Sequence, residues 1–256
     1  MTNQVSLIVG GTSGMGLAIA RNLVSDGDNV LILGHEQQGL DAAADELNGI
    51  RSGSTETILA NLYSSESVDG LVAQIDGETR HVAKLVNAAG VFAPKPYLEN
   101  TVEDYDKYLD MNRAFFVITQ AVARNMKKNN GGSILNIGSM WAKQAIKATP
   151  STAYSMAKAG IHSMTQHLAM ELGEHNIRVN AVSPAVVVTP IYGAFIDKDK
   201  IEDTITDTFD AFHPIGRVGR PEDIANHATF LLSDKAGWTT GAIHDVDGGV
   251  MAGRNQ

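Results

Sequence analysis

The 256-residue chain is 43% hydrophobic and 19% charged, ordinary globular usage for one domain, two at most, with room for a sizeable core. It has no cysteine, which excludes disulfides, thiolate catalysis and Cys-bound zinc or iron–sulfur sites. Lys+Arg 20 against Asp+Glu 29 give a net charge of −9, a surface that repels phosphate backbones and argues against nucleic-acid partners.

The first apolar run, 5–9, reads as a strand and stops at Gly10 and Gly11. No basic segment precedes it and no run reaches the ~20 apolar residues of a membrane helix, so a soluble cytoplasmic protein without a membrane partner is expected. Further strands are predicted at 29–33, 56–60, 84–87, 133–137, 178–182 and 242–246, mostly near-continuous in apolar residues. Helical stretches start near Gly16, Gln38, Ser65, Val102, Thr152 and Pro221. Strands apolar on both faces and alternating with helices predict an α/β fold: a doubly wound, mostly parallel seven-stranded sheet with helices on both faces. The acidic stretch 193–214 has only a moderate helical pattern and reads as a mobile excursion rather than a sheet unit. No repeat or linker divides the chain, so residues 1–256 read as one domain.

Three places carry chemistry. Gly10, Gly14 and Gly16 lie in a strand-to-helix turn, where free backbone N–H groups and the helix dipole favour an anion and glycine permits close approach. The same turn could simply pack helix to strand. Tyr154 and Lys158 are four apart in a helical run, beside the apolar stripe of Ala157, Ile161, Met164, Leu168 and Leu172. A phenol with an ammonium beside it is a general acid–base candidate, although such pairs also occur on many surface helices. Ser139 follows the fifth strand at the sheet's carboxyl edge, where it can bond a carbonyl oxygen or cap the next segment. The histidines show no metal spacing: His162 and His167, five apart, fall on different helix faces, and no metal is expected.

Taken jointly, these motifs resemble the short-chain dehydrogenase/reductase family in its compact single-domain branch, over nearly the whole chain. G-x-x-x-G-x-G after strand one is followed by Asn87-Ala88-Ala89-Gly90, Asn112, Ser139 and Tyr154-x-x-x-Lys158. Arg178-Val179-Asn180-Ala181-Val182-Ser183-Pro184 and Val246-Asp247-Gly248-Gly249 complete the order. The resemblance implies a Rossmann-like dinucleotide fold and hydride transfer between a nicotinamide cofactor and a ketone or secondary alcohol. It makes Tyr154 the acid–base and has Lys158 lower the Tyr154 pKa and hold the nicotinamide ribose. Ser139 would orient the substrate oxygen and Asn112 a relay water. It sets the cofactor against Gly10, Thr12, Ser13, Gly14, Met15 and Gly16, against Gly34 and His35, and against Asn61 and Leu62. Asn87, Ala88 and Gly90 follow, with Asn87 and Gly90 under the adenosine ribose, then Tyr154 and Lys158, and finally Pro184, Val187 and Thr189.

Several positions depart from the family's pattern. Val9 stands where Thr is frequent, Asn61 where Asp is frequent at the adenine, and Ala185 where Gly usually follows Pro184. Ser139 and Tyr154 are 15 apart, more than usual, so residues 140–152 absorb extra length. Strand two ends in Gly34-His35, with no acid to bind a ribose 2′-OH, so NADP(H) is favoured and NAD(H) is the alternative. The substrate is expected among Trp141, Gln144, Ile146, Ile191, Tyr192 and Phe195, with Ser139 and Tyr154. Each of these variable-segment residues could equally pack within its own loop.

Two other readings compete. One is a 3-oxoacyl-thioester reductase, for which Lys143 and Lys147 would supply a basic docking patch. The other is a non-catalytic NADP-binding regulator or scaffold, against which the presence of Asn112, Ser139, Tyr154 and Lys158 argues. A homotetramer through the long helices after strands four and five is expected from the resemblance.

Overall fold

The structure is a computed structural model and describes residues 3–253. Seven strands pair in parallel in the order β3-β2-β1-β4-β5-β6-β7. They are β1 (Gln4–Val9), β2 (Val30–Gly34), β3 (Thr55–Leu59), β4 (His81–Asn87), β5 (Gly132–Ile137), β6 (Ile177–Pro184) and β7 (Ile243–Val246). Each predicted strand forms, within a few residues of its expected ends.

Helices α1 (Gly14–Ser25), α2 (Gln37–Ile50) and α7 (Pro221–Leu232) cover one face of the sheet. Helices α3 (Ser65–Asp76), α4 (Val102–Lys128) and α5 (Thr152–Leu172) cover the other. Ile8, Ile32, Val86 and Leu135 point to the first layer, and Leu7, Leu31, Leu85 and Ile134 to the second. This two-sided burial explains why the strands read as unbroken apolar runs.

The chain changes direction across the sheet between β1 and β4, where Val9 pairs with Asn87. The connections after those two strands leave in opposite senses and open a crevice at the carboxyl edge, the place where ligands bind in such sheets. The stretch 193–214 adds no strand. It carries α6 (Ile201–Phe209), whose Ile201 and Ile205 are buried against Met140, Trp141 and Val186. Its helical signal in the sequence is modest because the helix is short and only Ile201, Ile205 and the partly buried Phe209 face the body. No helix among the described residues is long and apolar enough to cross a membrane.

Candidate active site

The turn after β1 is shaped by contacts that admit only glycine. Gly10 has φ +86°, and a Cβ there would lie 2.5 Å from the Ala89 amide nitrogen. A Cβ on Gly16 would lie 2.1 Å from the Gly10 carbonyl oxygen. The glycines therefore bring α1 hard against the turn, and Ser13, its N-cap residue, makes no side-chain capping bond. The first amides of α1 are left for a ligand, at the positive end of the helix dipole.

Around this turn lies a cleft of about 670 Å³. Gly10 and Thr12 to Gly16 form one wall, with Gly34 and His35, Asn61 and Leu62, Ala88 and Gly90, and Thr189 completing it. Asn87, expected at the cofactor, is not in the lining of the cleft. It is 1% exposed, and its Nδ2 donates to Thr119 Oγ1 at 3.0 Å and Asn136 Oδ1 at 2.8 Å, which turns the side chain into the core. The Asn61 amide oxygen already accepts from the Tyr63 N–H at 3.0 Å. Two charged residues not foreseen also line the cleft, Glu36 and Lys198. Glu36 is the N-cap residue of α2, two residues beyond the end of β2, where an acid was sought.

At Met15, Thr189 and Ile191 the cleft meets an inner pocket of about 50 Å³, lined also by Ser139, Tyr154, Pro184 and Val187. Pro184 and Val187, expected at the cofactor, thus stand at the junction's inner side. Ser139 does cap the next turn, its Oγ accepting from the Trp141 N–H at 3.3 Å. It also hydrogen-bonds Tyr154. Lys158 Nζ donates to the Ile137 carbonyl at 2.7 Å and lies 5.7 Å from the Tyr154 ring centroid. Asn112, on α4, donates to the Ala157 carbonyl at 2.9 Å and so ties α4 to the turn of α5 that carries Lys158.

One expectation is corrected here. Lys158 was expected to depress the Tyr154 pKa, but burial pushes Tyr154 up to about 12, and the Ser139 hydrogen bond only partly opposes it. Burial also brings Lys158 down to about 8. The ammonium is committed to a backbone carbonyl at the end of β5, and desolvation is the leading cause of the shift in both groups. In the free protein Tyr154 is therefore a protonated phenol at neutral pH, set to donate.

Trp141, Ile191 and Tyr192 line the inner pocket as expected, whereas Gln144, Ile146 and Phe195 do not. Ile146 packs into the cluster beneath Trp141. The backbone N–H of Gln144 bonds Met140. Phe195 is 51% exposed and packs edge-on against Phe92 and Tyr192. Phe92 was missed, yet it is the centre of the ring cluster, 4.9 Å from Tyr154, 6.0 Å from Trp141 and 6.2 Å from Tyr192 between centroids. Its only signal in the sequence is position, two residues past Gly90 at the sheet's carboxyl edge. Among the described residues no group of three or more His, Asp or Glu is placed to hold a metal ion.

A switch-point cleft leading to a serine and a tyrosine, with a lysine beside the tyrosine ring, is the arrangement of a nucleotide-dependent oxidoreductase. A family model described as enoyl-(acyl carrier protein) reductase matches residues 9–251. The 3α-hydroxysteroid dehydrogenase of Mediterraneibacter gnavus is 35% identical over 255 residues, 98% of each chain. The 3-oxoacyl-[acyl-carrier-protein] reductase of Aquifex aeolicus is 33% identical over 254 residues, again 98% of each. A candidate NAD(P)-dependent gluconate 5-dehydrogenase from Beutenbergia cavernae, solved with NADP at low occupancy, has a TM-score of 0.88 at 31% identity and covers 99% of this chain and 98% of that one. The chain belongs to the short-chain dehydrogenase/reductase family and is an oxidoreductase.

Proposed function

We propose that the protein interconverts a small-molecule ketone and a secondary alcohol with NADP(H), Tyr154 acting as general acid–base. The observation that carries this reading is that Ser139 and Tyr154 share the wall of the inner pocket that opens off the cleft, with Lys158 Nζ behind them, 5.7 Å from the Tyr154 ring centroid. The cleft suits a dinucleotide. Its volume of about 670 Å³ falls in the range of ligand sites. The uncapped start of α1 offers amides to a pyrophosphate. Thr12, Ser13 and Gly14 would hold the phosphates, Leu62 and Asn61 the adenine, and Ala88 and Gly90 the ribose.

When bound, the nicotinamide supplies the hydride in reduction or takes it in oxidation. The Ser139 hydroxyl donates to the carbonyl oxygen. The Tyr154 phenol releases its proton to that oxygen as negative charge builds on it. The Lys158 ammonium stabilises the phenolate so formed, and Asn112 holds the α5 turn that positions Lys158. In the direction of alcohol oxidation the same groups take the proton back.

The NADP(H) preference rests on Gly34 and His35 at the strand end, while Glu36 at the same end of the cleft favours NAD(H) and sets the contest. A 3-oxoacyl-thioester reductase is the second reading, favoured by the Aquifex aeolicus relative. Against it, Lys143 is bound to Asp245 at 2.7 and 2.9 Å, which leaves Lys147 alone of the two lysines available for an acidic carrier. We further propose one domain over residues 1–256 with a substrate loop near 190–214, a cytoplasmic protein on its cysteine-free composition, and a homotetramer. The face between α4 and α5 supports the last, since it exposes Phe116 in an apolar groove lined also by Ala123, Met164 and Leu168.

Purified protein is expected to oxidise NADPH in the presence of a ketone and to lose that turnover as Tyr154→Phe with cofactor binding kept. Binding of cofactor by the wild type without turnover across a broad ketone panel would instead favour the non-catalytic reading.

A further inference from the structure

We infer that the substrate is an uncharged ketone or secondary alcohol bearing a flat ring next to the reacting carbon. This rests on the proposed role of the Ser139–Tyr154 site and concerns what that site accepts. The wall facing Ser139 is built from rings: Phe92 at the centre, with Tyr154, Trp141 and Tyr192 around it at 4.9, 6.0 and 6.2 Å between centroids. Phe92 meets Tyr154 and Tyr192 edge-on, at 69° and 83°. Such a wall alternates negative faces and positive edges, and a planar ring complements it better than a flexible chain does.

No Asp, Glu, Lys or Arg side chain lines the inner pocket among the described residues. The cation and carboxylate of Lys143 and Asp245 satisfy one another. The Lys158 ammonium is taken up by the Ile137 carbonyl and is not part of the lining, so a carboxylate or phosphate beside the reacting carbon would be stripped of water with no counter-charge in the wall to meet it. What the wall does offer is a neutral donor. Trp141 is 8% exposed, and its Nε1 is buried without a hydrogen-bond partner. A second oxygen on the substrate can take that bond. The open space of about 50 Å³ is smaller than a ring. A substrate ring therefore needs neighbouring side chains to move, and Phe195, half-exposed outside the pocket lining and edge-on against Phe92 and Tyr192, is placed to yield that room.

The test compares acetophenone, 4-acetylbenzoate and 2-octanone, each for kcat/KM with NADPH and for binding to the cofactor complex. The sequence has two tryptophans. Trp238→Phe removes the fully exposed one and leaves Trp141 as the fluorescence reporter of binding. Acetophenone is expected to bind and react about tenfold better than either competitor, and Phe92→Leu to cut its advantage over 2-octanone about fivefold. Equal or tighter binding of 4-acetylbenzoate or 2-octanone, or binding of none of the three, overturns the inference. Binding in the expected order without turnover leaves the inference standing and overturns the oxidoreductase role of the site instead.

Discussion

The backbone N–H of Ser139 donates to His162 Nε2 at 3.4 Å, joining the end of β5 to the α5 turn that follows Lys158. The imidazole also presses on Gly138, where a Cβ would lie 2.2 Å from Nε2. It therefore fixes the backbone on both sides of the Ser139 nitrogen. The acceptor role requires the neutral ring with its proton on Nδ1. Burial, helped by the charges of Lys143 and Lys158, keeps it neutral by bringing its pKa down to about 4.

His162→Leu should leave the Ser139 N–H buried without an acceptor, a defect of about 1–3 kcal/mol. The serine hydroxyl then wanders from the carbonyl oxygen. We expect kcat to fall about tenfold, with cofactor affinity unchanged, because neither Ser139 nor His162 lines the cleft. His162→Asn, which restores an acceptor, should recover part of the loss. Steady-state kinetics beside a cofactor titration separates this from a general loss of structure, which would lower both.

The same burial makes stability depend on acid. The folded-state pKa of His162, His227 and His244 is lowered, chiefly by desolvation, and the Nε2 atoms of His227 and His244 are buried without partners. A histidine of lowered pKa takes its proton first in the unfolded chain. Nothing is lost above the unfolded value near 6.5, and stability then falls with pH down to the folded value. For His162, carried to about 4, the full loss is on the order of 3 kcal/mol. Melting temperature should be level from pH 8 to 7 and drop below 6.5, and His162→Leu should soften the drop. An unchanged melting temperature down to pH 4.5 would contradict the buried neutral ring.

On the proposed roles, Lys158 sets the alkaline limb of the pH profile. Its ammonium, brought down to about 8 by burial, is charged below that pH and neutral above it. Reduction should therefore decline above pH 8 as the charge that supports a Tyr154 phenolate disappears, whereas Tyr154 itself, pushed up to about 12, stays protonated. In Lys158→Met the alkaline limb should vanish, with kcat low throughout and cofactor binding weakened. Tyr154→Phe keeps the ring in its contacts with Phe92 and Tyr108 and removes only the oxygen, so a loss of 10²–10⁴ in rate with cofactor affinity intact is expected, on the order of a missing general acid.

The parts of this molecule legible in sequence are those fixed by local backbone constraint. Gly10, Gly14 and Gly16 could be read because a strand, a turn and a helix start must follow one another there, and Tyr154 and Lys158 because helical spacing alone puts them on one face. Phe92 and His162 could not. Phe92 gains its meaning from Trp141 and Tyr192, on loops distant in the chain, and His162 from a backbone amide 23 positions earlier. The direction of the Asn87 side chain was not legible, for the same reason. Its place at the end of β4 is the expected one, but its side-chain direction is decided by Thr119 and Asn136 on two other elements.

Cofactor choice is tested best at His35. Placing an acid on the strand end itself would fail for a steric reason, since a Cβ at Gly34 would lie 2.5 Å from Thr12 Cγ2 and 3.2 Å from Leu40. His35 is free of that crowding: its side chain is 75% exposed at the lip of the cleft, 3.5 Å from Glu36. His35→Arg adds a permanent cation with donors that fit a phosphate fork-wise and that can also engage Glu36, lessening its repulsion of a 2′-phosphate. At so exposed a position the gain is about 1 kcal/mol, on the order of a fivefold rise in the ratio of kcat/KM for NADPH over NADH. Glu36→Gln should shift the ratio the same way by removing the carboxylate. Measuring both cofactors in wild type and the two variants decides it. A wild type that favours NADH tenfold, with both variants moving toward NADPH, would make Glu36 the ribose ligand and reverse the assignment. Ratios that do not move in either variant would mean that the adenosine 2′ position lies elsewhere in the cleft.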